Sequence, residues 1–243
     1  MRLVAAVALA ALGAGAVAAG FAGMALAVSR VVQPLREAGT TAAEQQFTFD
    51  RSAWRAVAVD DVFPPVYRSL APDPLLGTVR DFTRIGVAPA TDCRTAFDPG
   101  LARLLSTHRC GPVLRVDYTD ATRTLVATVG VAVLGTGPED ELDVHTATSG
   151  HHDDLRPRAL AFAGTPAAGF GDTQRVAFHV LASTRAPVVD FAAVGFSDGR
   201  PASADPGRDA LDQSGAQATA TDLGDMAAAR IEEALSELWA RQR

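Results

Sequence analysis

The sequence predicts an α+β domain: an antiparallel sheet of four to six strands with helices on one face, preceded by one N-terminal transmembrane helix. Three observations carry this prediction. Val113–Leu134 reads as two strands joined by a tight polar turn. Two further strand-like runs, Arg175–Ala182 and Pro187–Phe196, follow at hairpin spacing. Leu3–Val28 is an unbroken apolar run without a charged residue.

The hairpin is the clearest element. Leu114, Val116 and Tyr118 alternate with Arg115, Asp117 and Thr119, the period of a half-buried strand. Asp120-Ala121-Thr122-Arg123 supplies turn residues. Thr124–Leu134 is almost wholly β-branched or small, which fits burial on both faces. Gly130 inside it implies a bulge or the close approach of a covering helix. In Arg175–Ala182, Val176, Phe178 and Val180 share one face and His179 takes the other. Pro187–Phe196 ends at the turn Ser197-Asp198-Gly199-Arg200.

The remaining elements are read locally. Asp98-Pro99 is a helix start, and Leu101, Leu104, Leu105 and His108 follow at helical spacing. Cys110-Gly111-Pro112 ends that helix. Leu75–Phe82 is expected as a short helix, Thr83–Val87 as a strand, Glu139–Thr148 as a helix and Arg158–Ala163 as a strand. Gly164–Gly171 is a loop without the Gly-Lys-Ser/Thr that grips phosphate.

A helix over Leu3–Val28 would cover about 39 Å at ~1.5 Å per residue, enough for a hydrocarbon core of about 30 Å. Residues 1–29 are therefore read as a membrane anchor. Secretion after cleavage near Ala27 is the alternative, because Ala25-Leu26-Ala27 has the small-x-small form of a cleavage site. Residues 30–46 follow as a juxtamembrane stalk, 47–201 as the folded domain, 202–220 as a flexible linker rich in Ala, Ser, Asp and Gly, and 221–243 as an amphipathic helix. That helix either packs on its own sheet or serves a partner at the end of a tether.

Composition narrows the function. Net charge is −6, and no basic tract is present, which argues against nucleic-acid binding. Lys and Asn are both missing, a mark of GC-rich coding rather than of function. Both cysteines, Cys93 and Cys110, lie beyond the anchor, and in an oxidising compartment such a pair is most simply a disulfide. That bond would clamp both ends of the helix that starts at Asp98, and it places the N-terminus inside and the domain outside the cytoplasmic membrane.

Catalytic signatures are missing: the one Gly-x-Ser-x-Gly match, Gly195–Gly199, runs into the turn Ser197-Asp198-Gly199-Arg200 and a linker, not into the helix that a nucleophile elbow opens, and the chain has no Ser-x-x-Lys and no His-Glu-x-x-His. No catalytic residue and no cofactor site is assigned. The metal candidates, weak ones, are His151, His152, Asp153 and Asp154, with His145 upstream; imidazole and carboxylate suit a divalent ion, but a solvated loop with no convergence of ligands is the preferred reading. Asp60-Asp61, His108 and His179 read as structural or surface groups.

Several short motifs carry a resemblance. They are Val62-Phe63-Pro64-Pro65, Arg84-Ile85-Gly86-Val87-Ala88-Pro89 before Cys93, Val113-Leu114-Arg115 with Tyr118-Thr119-Asp120-Ala121-Thr122, Thr128-Val129-Gly130-Val131, Phe170-Gly171-Asp172-Thr173-Gln174-Arg175 and Gly195-Phe196-Ser197-Asp198-Gly199-Arg200-Pro201. On these, Phe49 to Pro201 resembles a group of membrane-anchored, extracytoplasmic actinobacterial proteins to which no activity is assigned. The resemblance implies a shared fold and location and carries no site residue. The expected role is a non-catalytic envelope protein: a sensor, scaffold or accessory subunit whose partners are the membrane and another envelope protein. The alternatives are an envelope hydrolase or metal-dependent enzyme built on His151–Asp154, and a small-ligand binding module.

Overall fold

A computed structural model describes residues 42, 44–69, 79–135, 137–149, 154–201 and 210–242. The chain divides into two units, Met1–Gln45 and Gln46–Arg243, and the second holds the fold. The anchor over Leu3–Val28 and nearly all of the 30–46 stalk lie outside the described residues. Among the described residues, no helix is long and apolar enough to cross a membrane.

The fold is α+β around a six-stranded, wholly antiparallel sheet. Its strands are β1 (Val66–Arg68), β2 (Asp81–Val87), β3 (Val113–Asp120), β4 (Leu125–Val133), β5 (Arg175–Ala182) and β6 (Val188–Phe196). They lie in the order β1-β2-β3-β4-β6-β5, so β1 and β5 are the edges. The helices are α1 (44–53), α2 (Val59–Val62), α3 (Cys93–Ala96), α4 (Pro99–Thr107), α5 (Pro138–Thr148) and α6 (Ala210–Ala240).

The β3–β4 hairpin forms as the alternation requires. Asp120 closes its turn: the carboxylate accepts from the backbone N–H of Thr124 and of Leu125, both at 2.8 Å. Arg123 takes a left-handed conformation there, φ 59°. The pairing then runs unbroken from Thr119↔Val126 to Val113↔Ala132. Gly130 therefore marks no bulge. A Cβ there would lie 2.4 Å from the ring of Phe191 and from the carbonyl oxygen of Leu114, so the bare backbone makes room for an aromatic ring, not for a helix.

Helices cover both faces of the sheet, which corrects the one-face expectation. On the first face α6 lies across β4, β6 and β5, and buries Ala220, Leu223, Ala227, Ile231 and Leu235 against Val129, Val131, Ala192 and Val194. Each large side chain of this stripe contributes about 1.5–3 kcal/mol on full burial. The amphipathic C-terminal helix is thus part of its own core. It also starts earlier than expected. Residues 210–220, read as linker, are helical, because Ala216 and Ala220 pack on the sheet; small residues that suit a tether suit a close helix–sheet contact as well.

The second face carries α3, α4 and α5. Phe97, Leu101 and Leu105 pack there on Val113, Ala132, Val189 and Phe191, with the Phe97 and Phe191 rings edge-on at 4.9 Å. Arg115, Asp117 and Thr119, the polar face of β3 that the alternation assigned to water, are buried on this side as well. Phe162 and Phe170 belong to the irregular, turn-rich segment between α5 and β5, where Arg158–Ala163 forms no strand. Asp81 and Phe82, expected in a helix, belong to β2.

Cys93 and Cys110 form the expected disulfide, with Cα atoms 6.3 Å apart. It does not clamp one helix. Cys93 opens α3, capped by Asp92, which accepts from Thr95 N at 2.8 Å. Cys110 follows α4, so the bond closes a two-helix corner over the end of β3. Asp98 precedes α4 as expected, but its carboxylate caps nothing; it meets Arg175 at 2.9 Å and Arg158 at 3.5 Å.

Candidate functional site beside the β5 edge

Of the sequence-derived metal candidates, Asp154 and His145 fall among the described residues. His151, His152 and Asp153 lie outside the described residues, and Asp154 sits in an exposed turn. His145, on α5, places Nδ1 2.6 Å from the carbonyl oxygen of Ala182. The Asp60 carboxylate takes an ion pair from Arg84 at 2.7 Å and so ties α2 to β2.

A different constellation forms between β5, β6 and α6. His179 lies on the β5 face opposite Phe178 and Val180, as the strand period requires, and that face turns toward α6. Asp190 stands on β6 between Val188 and Ala192, on the same side. His179 Nε2 is 2.9 Å from Asp190 Oδ2 and 3.7 Å from Asp225 Oδ1 on α6. Their burial is graded: the side chains are 2% exposed at Asp190, 13% at His179 and 61% at Asp225.

Gly224 admits this arrangement. A Cβ at that position would come within 2.3 Å of the His179 ring, so α6 can cross the imidazole only where it has no side chain. A mid-helix Gly costs about 1 kcal/mol relative to Ala. Here the cost is offset by seating an imidazole between helix and sheet. Burial raises the pKa of Asp190; the hydrogen bond and charge of His179 oppose that shift, and Asp225 adds to it.

Of the three, His179 lines a groove of about 510 Å³ between α5, β5 and α6, shared with His145, Thr148, Phe178, Gln217 and Thr221. The outer edge of β5 is sealed within it. Gln217 Nε2 donates to Phe178 O at 3.0 Å, Ala182 N donates to Thr148 Oγ1 at 3.0 Å, and His145 meets Ala182 O. Side chains thus occupy backbone groups that would otherwise invite a further strand.

Asp190 and Asp225 escaped the sequence reading. A lone carboxylate inside the apolar run Val188–Phe196 was the available signal, because such a group must find a partner when buried. Asp117 gives the same signal in β3. It is fully buried, accepts from Thr128 Oγ1 at 2.8 Å and lies near Arg115, with burial pushing its pKa up to about 8.

No family model, no curated protein and no solved structure matches this chain.

Proposed function

We propose that the protein is a membrane-anchored, extracytoplasmic component that acts by binding rather than by catalysis: a sensor, scaffold or accessory subunit of a cell-envelope complex. The observation that carries this reading is the Cys93–Cys110 disulfide, on a chain whose first residues form a run long and apolar enough to span a bilayer. Disulfides persist where the redox poise is oxidising, on the far side of the cytoplasmic membrane. The full-length protein should sediment with membranes and require detergent for release. Its thiols should resist alkylation until reduced, and crosslinking in native membranes should capture a recurrent envelope neighbour. Recovery from cytosol with both thiols open to alkylation would overturn the reading.

The groove beside β5 favours a second reading, a small-ligand binding module. Its volume falls within the range of small-molecule sites, and it combines apolar walls with a few polar groups.

A further inference from the structure

The geometry points to a divalent transition-metal site formed by His179 Nε2, Asp190 and Asp225. One ligand atom from each residue lies within 4.8 Å of the others. An ion with bonds of about 2.0–2.2 Å to N and O holds neighbouring ligand atoms roughly 3–3.5 Å apart. The His179–Asp190 separation of 2.9 Å and the His179–Asp225 separation of 3.7 Å bracket that spacing. A small rotation of Asp225, exposed on α6, brings its oxygen into range.

Three features favour a metal over a chance cluster. The donor set, one imidazole and two carboxylates, suits borderline divalent ions such as Zn²⁺, Mn²⁺ and Co²⁺. Two of the ligands are fixed on adjacent strands, whose ladder runs unbroken from Ala177↔Val194 to Ala182↔Val189, and rigid elements hold ligands more accurately than loops do. Access is also built in: His179 lines the groove, so water or an anionic ligand can complete the coordination shell from that side.

The test uses the untagged full-length chain in detergent micelles, carrying His151→Ala and His152→Ala so that the loop cannot bind metal. Zn²⁺ alone is titrated by calorimetry, and Co²⁺ alone is followed by its visible absorption. The expected result is saturable binding at one ion per chain, weakened at least fivefold by Asp225→Ala and by His179→Gln. Asp225 is exposed on a helix, so its Ala variant keeps the fold and carries the test even if the His179 variant does not fold. Absence of saturable binding, or weakening of less than fivefold in Asp225→Ala, overturns the proposal.

Discussion

The Thr128 hydroxyl donates to the Asp117 carboxylate at 2.8 Å across the β3–β4 pair, and the second oxygen of that carboxylate has no hydrogen-bond partner. Burial raises the pKa of Asp117 to about 8, against the lowering influence of Thr128 and Arg115. The folded chain therefore keeps a proton that the unfolded chain, with an ordinary Asp, releases near pH 4. A raised folded-state pKa stabilises at low pH, and that stability is lost as pH rises to the folded value. Between about pH 6 and 8 this one group should cost about 1.4 kcal/mol per pH unit. Urea unfolding of Asp117→Asn should show a flatter slope than the wild type in that window, whatever its absolute stability. Parallel slopes would show that Asp117 is ionised at neutral pH.

The disulfide should matter through the unfolded chain. Its sequence separation is 17 residues, for which loop closure is worth about 3 kcal/mol. Cys93→Ser with Cys110→Ser should lose about 2–4 kcal/mol in urea unfolding, and reduction of the wild type should reproduce most of that loss. Equal stability of oxidised and reduced protein would remove the bond from any structural role.

Gly130→Ala tests the contact between sheet and second layer. The added methyl meets two neighbours, and one of them, the Leu114 carbonyl, is backbone in a continuous ladder. The expected loss is about 1–3 kcal/mol, the usual cost of overpacking a tight core. Phe191→Leu should recover only part of it, since it relieves the ring and leaves the carbonyl. Full recovery would mean that the ring alone fixes Gly at this position.

Much of the sheet was legible because its signals are local. The alternation of Leu114, Val116 and Tyr118 with Asp120 in the turn specifies the hairpin and its faces without reference to the rest of the chain. What covers each face is not local. The polar residues Arg115, Asp117 and Thr119 read as a wet face, yet all three are buried, and the segment before β5 reaches over them to place the Leu160 N–H on Thr128, the partner of Asp117. Strand period placed His179 opposite Phe178. Its meeting with Asp190 depends on the β5–β6 register, and its meeting with Asp225 depends on where α6 docks; neither is written in one stretch of sequence. Ala210–Ala220 failed for a related reason: Ala, Gly, Ser and Gln support tether and helix alike until a sheet offers Ala216 and Ala220 a surface.

Asp50 offers the last prediction, one in which removing a charge stabilises the fold. It lies on α1, 1% exposed, and neither carboxylate oxygen has a hydrogen-bond partner. Burial alone raises its pKa to about 6. At pH 7.5 the group is ionised in both states, and the folded state bears the cost of holding that charge away from water. A shift of about two units corresponds to roughly 3 kcal/mol, and the void left by deleting the carboxyl offsets part of it, leaving about 1–2 kcal/mol. Asp50→Ala removes the charge and places the best helix former in the helix. It should therefore gain about 1–2 kcal/mol at pH 7.5 in urea unfolding. Below about pH 4 the wild-type carboxyl is protonated in both states, so the gain from removing its charge should vanish there, and the wild type should lose its relative stability as pH climbs from about 4 to 6. A gain that is the same at pH 4 and pH 7.5 would trace the effect to helix propensity, and a loss at pH 7.5 would show that Asp50 makes a favourable contact in the folded protein.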